Sequence, residues 1–225
     1  NADPGFADVL AVAGSVTLSD ENSTRPSTEV LRLEGLLQSN EINQPTAIRQ
    51  VVVIDAAIAQ QDSLLAAISN QTQSLTDVVV LDSASDGVEQ ITELLSRYDG
   101  LSQVHILSHG NEASIRLGSA RLDSESISSD YSLDMAAWGR ALSNNADIYL
   151  YGCNVASGAR GRAFVDRMAQ ITGADVAASV DVSGSTELYG NWDLEYAHGT
   201  IEGQPIIDTS STVTVALLDP LPGSD

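Results

Sequence analysis

From Val51 onward, short apolar runs recur between helix-like segments, and this alternation limits the fold more than any other feature of the sequence. The runs are Val51 to Ile54, Val78 to Leu81, Val104 to Leu107, Ile148 to Tyr151 and Val176 to Ala178. Each is too short for a helix and apolar without alternation, as expected of strands covered on both faces in a parallel sheet. The intervening patterns predict helices over Ser63 to Ser69, Val88 to Arg97, Leu133 to Leu142 and Arg160 to Ile171, giving repeated βαβ units. Asp86 followed by Glu89 makes a capping-box-like start, and Gly173 sits where a left-handed helix terminus favours glycine. The expected fold is α/β: a three-layer sandwich with a mostly parallel central sheet and helices on both faces.

The flanks differ in texture. Residues 1–45 are rich in Ser, Thr, Asn and Glu between short apolar patches, with Pro26 and Pro45 as punctuation, and read as an arm or pro-segment. The domain proper is expected over 46–203. Within it, Asn191 to Tyr196 reads as a closing strand and His198-Gly199 as a turn. Residues 204–225, with Pro205, Pro220 and Pro222, read as a linker toward a further module. The start at Asn1 suggests that a targeting segment lies outside this sequence.

Acidic residues number 31 against 10 basic ones, every basic residue is an arginine, and the net charge is −21. Such a surface repels phosphates, which argues against nucleic acid or an anionic membrane as partner. No apolar stretch approaches the roughly 20 residues needed to cross a bilayer, so membrane insertion is not expected. No motif calls for a cofactor. The acidic excess makes calcium the one candidate ion, in keeping with a saline or calcium-rich exterior.

The chain has one cysteine, Cys153, just past the run Ile148 to Tyr151, and a histidine, His109, at the exit of the run Val104 to Leu107. In open α/β sheets ligands bind at the carboxyl ends of strands. If these two strands are neighbours, about 4.8 Å apart, imidazole and thiol can approach across the edge and share a proton. The loop after Cys153 leads into a helix, whose N-terminus favours a thiolate. Considered alone, a free cysteine is more often an inert packing residue, and a histidine in an apolar run is more often a core residue. His105, inside its strand, fits that plainer role.

These residues are part of a wider resemblance. His-Gly after one hydrophobic block and Cys after the next, 44 residues from histidine to cysteine against roughly 50 in caspases, is similar to the caspase-like peptidase superfamily. Over about residues 50 to 200 the sequence more closely resembles the bacterial domain family of unknown function numbered 4347, carried near the N-terminus of very large secreted adhesin-like and repeat-containing proteins. The matching segments are Val53-Ile54-Asp55, Asp82 with Asp86 to Ile91, Ile106 to Gly110, Leu150 to Ala156, and Gly190 to Glu195.

The resemblance implies a caspase-like fold and a secreted or surface location. It also implies a cysteine endopeptidase that acts on peptide or on its own polypeptide. Cys153 would attack the scissile carbonyl, His109 would protonate the leaving amine, and the amides of Gly110 and Cys153 would form the oxyanion hole. Asp55 would read a substrate arginine, a role that stands level with a plain loop cap. Arg25, Arg32 and Arg49 would then be cleavage sites. Ser179, Val180 and Asp181 would pair with extended substrate.

Other patterns lead nowhere. His105 and His109 stand about 13 Å apart on a strand, too far to share a metal. Asp82, Asp86, Gly87 and Glu93 match part of a calcium loop, but Ala84 breaks it, and Asp86 reads as a cap. No metal site is expected from the motifs. Two competing readings remain: a catalytically inactive structural or ligand-binding domain at the N-terminus of an adhesin, with Cys153 as packing, and a thiol acyl transferase.

Overall fold

The computed structural model of the chain describes residues 30–33, 50–58, 61–71, 75–184 and 190–207. The apolar runs form the strands β2 (Gln50–Ile54), β3 (Thr76–Val80), β4 (Leu101–Leu107), β8 (Leu142–Tyr151) and β9 (Asp175–Ala178). All four ladders among them are parallel. Two antiparallel edges complete a seven-stranded sheet: β1 (Val30–Leu33) on β3, and β10 (Tyr196–His198) on β9. The strand order is β1-β3-β2-β4-β8-β9-β10.

Side-chain alternation along the strands sorts the core into two layers. Val51, Val53, Val104, Ile106, Ile148 and Leu150 face helices α2 (Gly87–Leu95), α3 (Ser132–Ala141) and α4 (Gly158–Thr172). Val52, Ile54, Leu107, Tyr149 and Tyr151 face the other way, toward Leu64 and Ile68 of α1 (Gln61–Gln71). The sheet therefore lies between helices on both faces, as its apolar runs require. The chain builds β2 and β3 in one direction, then returns to add β4 on the opposite flank of β2. Helix α1 falls on one face and α2 on the other because parallel crossovers keep one hand. The reversal point lies between the carboxyl ends of β2 and β4, where α/β sheets hold ligands.

Helix boundaries follow local chemistry. The Asp86 carboxylate accepts from the amides of Val88 and Glu89 and starts α2, and Gly173, at φ 74°, ends α4 in the left-handed conformation.

The structure departs from the sequence reading at the flanks and in one insertion. Val30 to Leu33, assigned to a free arm, are a paired edge strand. Ile206 and Ile207, assigned to a linker, are buried in the second layer, and the Ile206 amide donates to the Tyr151 hydroxyl at 3.1 Å. The closing strand is Tyr196–His198 rather than Asn191 to Tyr196. His198 is part of it, and only Gly199, at φ 89°, makes the turn. A small antiparallel sheet was not foreseen: β5 (Gly110–Asn111), β6 (Ser114–Leu117) and β7 (Ala120–Asp123). Its strands are too short, and too mixed with Arg, Ser and Asp, to stand out as apolar runs.

Candidate active site

Strands β4 and β8 are neighbours, and their last registered pair is Leu107 with Tyr151. The Ser108 amide donates to the Tyr151 carbonyl at 3.0 Å, so the ladder continues one step beyond. His109 and Cys153 each lie two residues past that pair. Cys153 belongs to the core layer of Leu107 and Tyr151. The neighbouring strand ends expected from the sequence are thus present.

His109 is half-buried, and its Nε2 stands 3.2 Å from the carbonyl oxygen of Ala57, in the loop after β2. A carbonyl only accepts, so this contact puts the proton of a neutral imidazole on Nε2 and leaves Nδ1 as the basic nitrogen. A nucleophile, a base and a group that orients the base are the parts that acyl transfer requires. The orienting group escaped the sequence reading because it is a main-chain atom, which no residue pattern reveals.

Gly110 is packed against the cysteine loop. A Cβ there would lie 2.7 Å from Val155 Cγ2 and 3.1 Å from the Cys153 carbonyl oxygen, so the close approach requires glycine. Asn154 holds a left-handed φ of 60° directly after the cysteine. Its amide donates to the Asp181 carbonyl at 2.7 Å, and that of Ala156 to the Ser179 carbonyl at 2.9 Å. The carbonyls of Ser179 and Asp181 are thus engaged by the cysteine loop. The outward groups of Ser179 to Asp181 are satisfied within the chain: the Val180 amide donates to Glu195 Oε2 at 2.8 Å, and the Asp181 carboxylate accepts from Asn191 Nδ2 at 3.1 and 3.2 Å.

Three expectations are corrected. Cys153, expected to attack a scissile carbonyl, is closed off from solvent. It is 0 % exposed and shares its apolar layer with Ile58, Tyr149, Tyr151, Trp192 and Ile207. Part of that layer, Trp192, Ile206 and Ile207, comes from segments far downstream of the cysteine. The cysteine is also five residues ahead of α4, beyond the first turn where a helix dipole acts. Asp55 takes the capping role of its two open readings. It is buried, with Oδ1 accepting from the Ala57 amide at 2.8 Å and Oδ2 from the Gly118 amide at 2.6 Å. It thereby fixes both the loop that holds His109 and the small sheet.

The remaining histidines are structural. His105 is buried and stacks on Tyr149, with ring centroids 4.4 Å apart, and burial lowers its pKa to about 3. Both of its ring nitrogens lack a hydrogen-bond partner, so it is a core residue but not a satisfied one. His198 Nδ1 meets Asp166 Oδ1 at 2.8 Å and ties β10 to α4. The Asp82 carboxylate is taken up by the Ala84 amide and the Ser85 hydroxyl.

One grouping of chemistry-bearing side chains was missed: Asp147, Asp175 and Glu202 offer carboxylate oxygens within 4.8 Å of one another. A signal existed, because Asp147 and Asp175 each immediately precede an apolar run, Ile148 onward and Val176 onward, and these runs lie side by side at the same level.

Fold and site together define a parallel-sheet α/β domain with a histidine and a cysteine at adjacent carboxyl ends of its central strands. The chain belongs to the family of the domain of unknown function DUF4347, whose model matches residues 51–215. That match begins at the second strand and runs past the buried Ile206 and Ile207. No curated protein matches the chain.

Proposed function

We propose that this domain is a latent cysteine endopeptidase in which Cys153 is the nucleophile and His109 the general base and acid. The reading is supported by the position of His109 and Cys153, each two residues past the last registered pair of the adjacent strands β4 and β8, and by the Ala57 carbonyl beside the imidazole. Nδ1 of His109 takes the thiol proton as sulfur attacks the peptide carbonyl, then returns it to the departing amine. Water releases the acyl group in a second half-reaction. The amides of Gly110 and Cys153 stabilise the oxyanion. Complete burial of Cys153 means that a substrate carbonyl reaches sulfur only after local opening, and this is the sense of latency.

Self-processing, or processing of a large secreted surface protein, is the use proposed for such an activity. Arg32 is held in β1, and Arg25 and Arg49 lie outside the described residues. With Asp55 committed to backbone amides, no arginine specificity is proposed. The test mixes full-length wild-type protein with Cys153→Ala protein and maps new N-termini by mass spectrometry. New termini that require Cys153 and His109 are expected, whereas identical fragments in Cys153→Ala alone remove self-cleavage.

A second reading has its own observation. Burial of Cys153 within an apolar layer also suits a catalytically silent structural or ligand-binding domain in which the thiol is packing. Native-state thiol reactivity separates the two.

A further inference from the structure

We propose that Asp147, Asp175 and Glu202 form a binding site for calcium at the amino-terminal end of the sheet, opposite the cysteine. Asp147, midway along β8, and Asp175, the first residue of β9, are registered partners, and Glu202 reaches them from the segment after β10. Two ligands at about 2.4 Å from one calcium ion stand at most about 4.8 Å apart, which is the limit these three carboxylates meet. All three donors are hard oxygens, which suit calcium and not a soft metal.

The second observation concerns Asp147 itself. The residue is 1 % exposed, and its Oδ1 has no hydrogen-bond partner among the described residues. Its Oδ2 is already engaged by the Gly203 amide at 2.7 Å and the Tyr149 hydroxyl at 3.3 Å. A buried carboxylate oxygen left bare costs free energy that a bound cation recovers. Among the described residues, no ion pair involves any of the three acids.

The surrounding chain is fitted to this arrangement. A Cβ at Gly199 would collide with the Asp175 carboxylate, and one at Gly203 would collide with the Gln103 side-chain amide, so the segment around Glu202 is pressed onto the strand ends. Exposed Glu202 leaves one side of the site to solvent, where water completes the coordination. Calcium would then fasten this segment, and with it Ile206 and Ile207, to the sheet. Asp147 is six residues from Cys153, about 20 Å along the chain, so the site does not rest on the peptidase reading.

The test uses the full chain, with melting followed in calcium, in chelator and in sodium chloride of matched ionic strength. Terbium(III) luminescence sensitised through Tyr149 reports occupancy. Calcium is expected to raise the melting temperature by about 5 °C and to displace terbium. Glu202→Gln, at an exposed position, and Asp175→Asn should each remove most of both effects, whereas Asp130→Asn, at a distant exposed acid, should leave them intact. Absence of a calcium-specific rise, or a rise of equal size in Glu202→Gln, overturns the proposal and leaves a diffuse response to the net charge.

Discussion

Asn154 donates its amide to the Asp181 carbonyl at 2.7 Å while holding a φ of 60°, so the residue after the cysteine is fixed in a left-handed conformation by the strand-exit segment beside it. Asparagine is among the few side chains that adopt this region readily. Asn154→Gly should change stability by less than about 0.5 kcal/mol, and Asn154→Val should cost about 1–2 kcal/mol. Urea unfolding of both variants checks the difference. Equal stability of the two would mean that the conformation is not required.

Gly110 makes the complementary prediction on the histidine side. A Cβ at this position would crowd Val155 and the Cys153 carbonyl, so an added methyl group must displace one of them. Gly110→Ala should lose about 1–3 kcal/mol, with crowding felt at the cysteine loop. A variant as stable as wild type would show that the loop is free to move apart.

The fold was legible where burial is symmetrical. Val51 to Ile54 and Val104 to Leu107 are apolar at every position because layers cover both sides of the sheet, and Asp86 announced its helix through a local bond. Edge strand β1 was not legible, because its residues lie in a polar flank and it is a strand only through pairing with β3. Of the candidate site, His109 and Cys153 stood out in the sequence because they follow recognisable runs. Its third part, the Ala57 carbonyl, and its cover, drawn in part from Trp192 and Ile207, depend on how distant segments return to the sheet.

His105 should dominate the acid response of the second core layer. Burial lowers its folded-state pKa to about 3, well below the unfolded value of 6.5. Between those values the unfolded chain binds a proton that the folded chain excludes, so His105 lowers stability progressively as pH falls from about 6.5 toward 3. His105→Phe, which preserves the stack on Tyr149, should flatten the difference in unfolding free energy between pH 7 and pH 4.5. Parallel pH profiles for wild type and variant would contradict this.

Asp86 couples two helices. Its Oδ1 caps α2, and its Oδ2 accepts from the Tyr131 hydroxyl at 2.7 Å, ahead of α3. Asp86→Ala should cost at least about 1 kcal/mol, and Asp86→Asn, which keeps a capping oxygen, less than half as much. Chemical denaturation of the two variants provides the comparison.

The pairing of sulfur and imidazole is tested most directly by alkylation of the lone thiol under native conditions at neutral pH. A catalytic pair predicts that iodoacetamide modifies Cys153 through local opening, far faster than the chain unfolds globally, and that His109→Ala slows the reaction at least tenfold without changing the melting temperature by more than a few degrees. Labelling that proceeds only at the rate of global unfolding, equally in wild type and His109→Ala, would make Cys153 a packing residue and contradict the account.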